Sequence, residues 1–378
     1  MIYLDQAASS FPKPSAVAEA MMEAVNEYGA NPGRGTHALA DRAANTIQTT
    51  RKLLAQQFGA SDPRKVVFFS NATTALNQAI QGLPLMEGDH VITTMFEHNS
   101  VRRPLEYLKD EKGIEVTYLS GSSEKLIEGL YASIRPETKL VIVSHASNIT
   151  GEIAPLKSMI EIIKGTGSKV LVDASQTAGH FPIHMKELGI DMLAFPGHKR
   201  LLGPQGTGAL LVEGEVELEP LFYGGTGSFS ELPKQPDHWP EKYESGTLNT
   251  PGIAGWKAAL EELNGLVSRE TYLTQKLMNG LLGIKDVIVY GPGPEVERMP
   301  VVSFNIGDIS SQEIAMVLDS HYQIAVRAGL HCSPTSHQFY DTTEQGAVRA
   351  SIGPYNTEEE IDRFVQAIEE IRTGYMEM

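Results

Sequence analysis

Cysteine is almost missing from this chain of 378 residues: there is one, Cys332. That excludes an internal disulfide and any zinc site built from several thiolates, and no metal centre is expected. Positive charge is also scarce, with 31 Lys and Arg against 47 Asp and Glu, a formal net charge of −16. A non-specific nucleic-acid binder, or a protein held on anionic lipid, needs the opposite balance. No apolar run approaches the roughly 20 residues that span a bilayer. The opening Met1-Ile2-Tyr3-Leu4-Asp5 has neither the basic start nor the apolar stretch of a signal peptide. Internal repeats, low-complexity tails, a GxxxxGKS/T phosphate loop, a GxSxG elbow and an HExxH zinc helix are all lacking. Gly33-Arg34-Gly35-Thr36-His37-Ala38 fits the loose dinucleotide pattern, but no strand precedes it. Without a signal peptide, the glycosylation patterns at Asn71 and Asn148 carry no meaning. These absences leave an acidic protein of a reducing compartment, expected in the cytoplasm.

What is present suits a large core: 41% hydrophobic and 21% charged residues, over a length that suggests two or three domains. Short apolar runs rich in β-branched or aromatic residues recur at Val66–Phe69, His90–Thr93, Val116–Leu119, Leu140–Val143, Val170–Val172 and Met192–Phe195. Each is too short for a buried helix and reads as a buried strand. Helix-like stretches lie between them, at Ala75–Leu83, Val101–Lys112 and Leu156–Lys164. This alternation predicts an α/β fold with a mainly parallel sheet covered on both faces, whose ligands sit beyond the carboxyl ends of the strands. Residues 213 to 252, with Gly224-Gly225-Thr226-Gly227-Ser228 and the proline-bearing stretch 233–240, read as a long loop. A helical stretch from Gly255 to Leu282 follows. Strands near Val301–Asn305, Ile324–Arg327 and Val348–Ser351, with helices near Gln312–Leu318 and Glu358–Thr373, then form a smaller α/β unit. The expected division is a large domain over 1–255 and a helical connection with a small domain over 256–378. The first 30 residues are free to pack with the latter.

The chemistry is concentrated at strand ends. Phe195-Pro196-Gly197-His198-Lys199 places an amine where such a sheet binds ligands, although most lysines are surface residues. A lysine there can form a Schiff base with an aldehyde cofactor. Asp173 ends the apolar Val170-Leu171-Val172, either as a helix cap or as a partner for a ring nitrogen. Together the two suit pyridoxal phosphate (PLP), whose pyridine needs a carboxylate and whose aldehyde needs an amine. Phe69-Ser70-Asn71-Ala72-Thr73-Thr74-Ala75 reads as strand, turn and helix start. Its free amides and the Thr73 and Thr74 hydroxyls would bind an anion, or Asn71 or Thr73 simply caps the helix. His98, after another strand, can stack on a ring or be structural. Cys332, in Arg327-Ala328-Gly329-Leu330-His331-Cys332, sits among residues of an exposed loop, where a neighbouring histidine and arginine would favour the thiolate. Arg327 and Arg349 end two strands and could clamp a carboxylate or form surface ion pairs.

In this order the motifs resemble the class V aminotransferase superfamily, and within it the cysteine desulfurase and selenocysteine lyase branch. The resemblance runs from Tyr3-Leu4-Asp5-Gln6-Ala7-Ala8 to Arg349-Ala350-Ser351-Ile352-Gly353-Pro354-Tyr355-Asn356. It implies a fold-type I PLP enzyme, normally a homodimer with its active sites at the subunit interface. It also implies Lys199 as the Schiff-base lysine, Asp173 against the pyridine nitrogen, Gln176 on the ring hydroxyl and His98 stacked on the ring. Thr73, Thr74 and His198 would hold the phosphate, with Thr247 reaching the phosphate of the other subunit. Asn148 and Arg349 would bind the substrate carboxylate. Pro196 stands where the family often has a phosphate-binding serine. The short Arg-Ala-Gly-x-His-Cys form resembles the sulfur-mobilisation subgroup. The implied reaction turns L-cysteine into L-alanine: Lys199 moves the Cα proton, and the Cys332 thiolate takes the sulfur as a persulfide. L-Selenocysteine lysis, transamination and C–S lyase cleavage are the alternatives. The acceptor protein stays open among an iron–sulfur scaffold, a tRNA-modifying enzyme and a small shuttle protein.

Overall fold

The computed structural model describes every residue except Arg34, Phe229, 264–267 and 377–378. Part of the run from Gly33 to Ala38, the expected long loop and the expected helical stretch from Gly255 to Leu282 therefore lies outside the described residues. The chain opens with strand β1 (Ile2–Tyr3) and helices α1 (Ser15–Glu27) and α2 (Ala38–Phe58). It then alternates through β2 (Val66–Phe69), α3 (Ala72–Gly82), β3 (His90–Thr94), α4 (Asn99–Lys112), β4 (Glu115–Leu119), α5 (Ser123–Ser133), β5 (Thr138–Ser144), α6 (Leu156–Ile163), β6 (Lys169–Asp173), α7 (Met185–Leu188) and β7 (Met192–Pro196) to β8 (Gly208–Val212). All six expected strands of this half are present, and β8 joins them.

The seven strands β2 to β8 form one sheet in the order β2-β8-β7-β6-β5-β3-β4. Neighbours from β7 to β4 pair parallel, while β8 runs antiparallel to both β2 and β7. Successive side chains on a strand point to opposite faces, so an apolar strand feeds two cores at once. Val141, Val143, Val170 and Val172 enter the core on one face, with Phe58, Phe195 and Trp256. Leu140, Ile142 and Leu171 enter the other, against Leu76, Ile80, Val101 and Leu105 of α3 and α4.

No helix or strand occurs between β8 and residue 250 among the described residues. Helices α8 (Thr250–Glu262) and α9 (Ser268–Leu282) follow, then β9 (Val287–Tyr290), β10 (Val301–Ile306), α10 (Ser311–Tyr322), β11 (Ile324–Ala325), β12 (Arg327–Gly329), α11 (Pro334–Phe339), β13 (Ala347–Ser351) and α12 (Glu358–Met376). The strand expected at Ile324–Arg327 is thus two: β11 pairs with β1, and β12 joins the antiparallel sheet β12-β13-β10-β9. Leu273, Leu277, Phe304, Phe364 and Ile368 form a separate core under that sheet, which Ile2 and Leu4 also enter. The start of the chain is pinned there by Ala7, whose N–H donates to Ser351 Oγ at 2.9 Å. No helix among the described residues is long and apolar enough to cross a membrane.

Candidate active site

Beyond the carboxyl ends of the parallel strands lies one cavity, and nine of the residues singled out in the sequence line it. Thr73 comes from the first turn of α3, His98 from the cap of α4 after β3, and Asn148 from the loop after β5. Asp173 ends β6 and Gln176 follows it, and His198 and Lys199 follow β7. Arg327 and Arg349 close it from the second sheet, and Ala7 and Ala8 from the start of the chain.

The turn after β2 is held by Asn71. Its Oδ1 caps α3 by accepting from the Thr74 N–H at 2.9 Å and from the Thr74 hydroxyl at 3.1 Å. Thr73, not Thr74, faces the cavity, at the positive end of the helix. An anion there would meet backbone N–H groups and one hydroxyl.

His98 caps α4, with Nδ1 accepting from the Ser100 N–H at 3.1 Å, which leaves the ring proton on Nε2. Burial, aided by the Lys199 ammonium, pushes its pKa down to about 4, so the ring is neutral. Asp173 ends β6, buried, and its Oδ1 accepts from the Ser175 N–H at 2.9 Å. Burial likewise pushes the Lys199 amine down to about 8, against the pull of Asp173. A lysine in this state is still mainly an ammonium at pH 7, but it gives up its proton far more readily than an ordinary lysine.

Four cavity-lining residues have a buried side-chain atom without a hydrogen-bond partner: Gln176 Oε1 and His198 Nδ1 towards the large sheet, and His331 Nδ1 and Arg349 Nε on the other side. Such orphans are costly in a packed protein and point to a polar ligand. With the Asp173 carboxylate, the Lys199 amine and the end of α3, the first two compose a donor set that fits a ring bearing a basic nitrogen, an aldehyde and an anionic arm.

Arg327 and Arg349 stand directly opposite each other on β12 and β13. Like charges in that position repel. Arg349 is buried, and its Nη2 donates to Asp5 Oδ1 at 2.9 Å, its Nη1 to the Asn148 carbonyl at 3.0 Å. Its Nε is buried with no partner. Burial, with Arg327 as a further push, lowers the Arg349 pKa. A second anion between the two guanidiniums would relieve this strain.

Cys332 is exposed beside the cavity, next to His331, which lines it. Arg327 Nη2 lies 3.8 Å from its Sγ. The histidine expected to assist the thiol does not carry charge. His331 is buried with Nε2 on the Ala347 carbonyl at 2.9 Å, and burial with the Arg349 charge drives its pKa far down. The positive charge in contact with the thiol comes from Arg327 instead.

Thr247 does not line this cavity; it lines a separate groove with Asn31, Gly33 and Thr226. Three contributors escaped the sequence reading. Asp5 is one. Glu97 is another, fully buried, its carboxylate receiving the Thr94 hydroxyl at 2.8 Å and both the N–H and the hydroxyl of Ser144. Burial raises its pKa to about 7. Ser144, which lines the cavity, is the third. The adjacency of Glu97 to His98 is the only signal the sequence holds for it.

The family model for class V aminotransferases matches residues 2–364. The chain belongs to this family. A probable cysteine desulfurase of Methanothermobacter thermautotrophicus is 35% identical over 98% of this chain and 94% of its own. A probable cysteine desulfurase of Synechocystis is 33% identical over 98% of this chain and 90% of its own. Among solved structures, the apo cysteine desulfurase of Thermococcus onnurineus superimposes with a TM-score of 0.92 at 34% identity, covering 99% of this chain and 95% of the other. The family accounts for the mostly parallel sheet with a second unit, the architecture of fold-type I enzymes.

Proposed function

We propose that this class V aminotransferase family member is a PLP-dependent cysteine desulfurase that converts L-cysteine to L-alanine and keeps the sulfur as a persulfide on Cys332. The observation that carries the reading is an exposed thiol at the edge of a cavity that also holds Lys199, Asp173 and two opposed arginines. The names of the relatives, cysteine desulfurases over nearly the whole chain, support the substrate.

When bound, PLP supplies an aldehyde for the amine and a ring that withdraws electrons from the substrate carbon. The chain's residues do the rest. Asp173 would accept a hydrogen bond from the protonated ring nitrogen and keep it protonated, Gln176 would meet the ring hydroxyl, and neutral His98 would cover the ring. Thr73, His198 and the N-terminus of α3 would hold the phosphate, with Thr74 holding the turn through Asn71. Pro196 lines the same wall without a hydroxyl to offer. Arg349, with Arg327, takes the substrate carboxylate. Lys199 Nζ removes and returns the Cα proton, a role suited to an amine whose pKa lies near 8. The Cys332 thiolate then attacks the substrate sulfur. The Cβ–S bond breaks, an S–S bond forms, and the three-carbon skeleton takes up protons to leave as alanine.

The reading extends to a homodimer, in which Thr247 serves the other subunit. Its place in a groove apart from its own cavity, near the exposed Phe222 and Tyr223 of the same long loop, favours this. A division into two units belongs to it as well: the separate cores favour it, with Ile2 and Leu4 packing into the second, but Trp256, Ala259 and Leu263 pack in the first core and favour a boundary after α8 instead of at 255/256. A cytoplasmic enzyme feeding a sulfur-acceptor protein, for iron–sulfur assembly or a related path, completes it.

The test is the intact mass of the PLP-loaded protein after brief exposure to L-cysteine, with alanine assayed in parallel. One added sulfur on Cys332 together with alanine is the expected result. Bound PLP with neither product would move the assignment to another reaction of the family.

A further inference from the structure

Asn148 lines the cavity, yet both ends of its carboxamide are engaged elsewhere. Nδ2 donates to the His331 carbonyl at 2.8 Å, and Oδ1 accepts from the Ser333 hydroxyl at 2.7 Å. These two residues flank Cys332. The Cys332 carbonyl itself accepts from the Asn99 N–H, in the first turn of α4, at 2.7 Å. Three successive residues are therefore tied to the wall of the large sheet, and only the middle one is exposed: His331 is 3% and Ser333 0% accessible.

The turn needs such restraint. His331 and Cys332 have φ of 49° and 60°, the left-handed region. Non-glycine residues stay there only when their surroundings hold them. The Ser333 N–H closes the turn on the Leu330 carbonyl at 2.9 Å. A carboxamide donates to the carbonyl through one arm and accepts from the hydroxyl through the other, which suits two partners on either side of one residue. A carboxylate would face the His331 carbonyl with no proton, and a hydrocarbon would leave two buried groups unpaired. Arg349 touches Asn148 only through the backbone carbonyl, so that contact does not depend on the side chain.

We infer that Asn148 is a positioning residue for the nucleophilic thiol: its carboxamide clasps the turn around Cys332 and fixes Sγ at the cavity edge beside Arg327. The catalytic consequence rests on the desulfurase reading; the clasp does not.

The holoenzyme carrying Asn148→Ala, and separately Ser333→Ala, tests this. Three quantities are read: hydrogen exchange of the amides in 330–333, affinity for L-alanine through the cofactor absorbance, and persulfide formed per unit time. L-Alanine presents the same carboxylate without sulfur, so it separates carboxylate binding from thiol positioning. Amide exchange in the turn is expected to quicken about tenfold in both variants. In Ser333→Ala, L-alanine affinity is expected to stay within about twofold while persulfide formation falls about tenfold or more. Unchanged exchange in either variant, or unchanged persulfide formation in Ser333→Ala, overturns the assignment. Should Asn148→Ala not fold, Ser333→Ala decides alone. Wild-type protein that forms no persulfide refutes the desulfurase reading, while the exchange rates still decide the clasp.

Discussion

Two guanidiniums across one register position are the clearest sign at the residue scale that an anion belongs here. Asp5 answers only part of the charge, and Arg349 keeps an unpartnered Nε. Lysine would preserve the charge but not the planar fork. Arg349→Lys is therefore expected to raise KM for L-cysteine about tenfold, the equivalent of about 1.4 kcal/mol, with a smaller effect on kcat. A steady-state series in L-cysteine measures it, and an unchanged KM would remove Arg349 from the carboxylate site. Cys332→Ala should keep the yellow cofactor band and form no persulfide, and Lys199→Ala should lose Cα chemistry, followed as alanine. The residues at strand ends were legible because a strand end fixes a location in this type of sheet, and the residue type then fixes the chemistry. Asp5, Glu97 and Ser144 were not, because each enters the site through a partner far along the chain. Asp5 meets Arg349 only after β1 pairs with β11, and Glu97 is buried only by Ser144 at the end of β5.

Among the elements, β8 holds the two halves of the proposed cofactor site at their spacing. It lies between β2, which leads to the Asn71 turn, and β7, which leads to Lys199. Gly208 pairs with Phe69 on one side and Pro196 on the other. A Cβ on Gly208 would lie 2.5 Å from the Asn71 carbonyl carbon, and backbone cannot swing aside as a flexible side chain can. Gly208→Ala is expected to cost about 1–3 kcal/mol, as overpacking does, and to weaken PLP binding by displacing the Asn71 turn. Thermal melts and a PLP titration check it together; a melt that shifts with PLP affinity intact would mean that the turn moves independently of the phosphate site. The sequence did not announce β8, since Gly-Ala-Leu-Leu-Val has weak strand preference and no alternation, and only its two neighbours make it a strand. Two-residue β1 is too short to show a period. The true start of α8 had its signals, Asn249 as cap and Pro251 in the first turn, hidden in a motif read for Thr247 instead. The apolar parallel strands, by contrast, were plain, because burial on both faces removes all polar interruption.

Taken as a whole, the molecule buries titratable groups of opposite tendency near one cavity, and stability against pH should report them. Burial is the leading cause that holds His98, His145, His198 and His337 near pKa 4. The unfolded chain takes up these protons near the ordinary value of 6.5, before the fold does, so stability is lost as pH falls from about 6.5 towards 4. Glu97 acts in the other direction. Its pKa near 7 lies above that of an unfolded glutamate, so the fold binds its proton first and gains stability as pH falls from about 7 to 4.5. Replacing Glu97 with glutamine removes that one contribution and leaves the histidines in place. The difference in melting temperature, Glu97→Gln minus wild type, is therefore expected to be positive at pH 8, where the buried carboxylate is charged. It should shrink through pH 7 and level off below pH 4.5, where both side chains are neutral. Comparing two chains cancels the histidines and the general effect of the −16 net charge. A difference that stays constant from pH 8 to 4 would mean that Glu97 keeps its ordinary acidity and that the three donors around it, rather than burial, set its state.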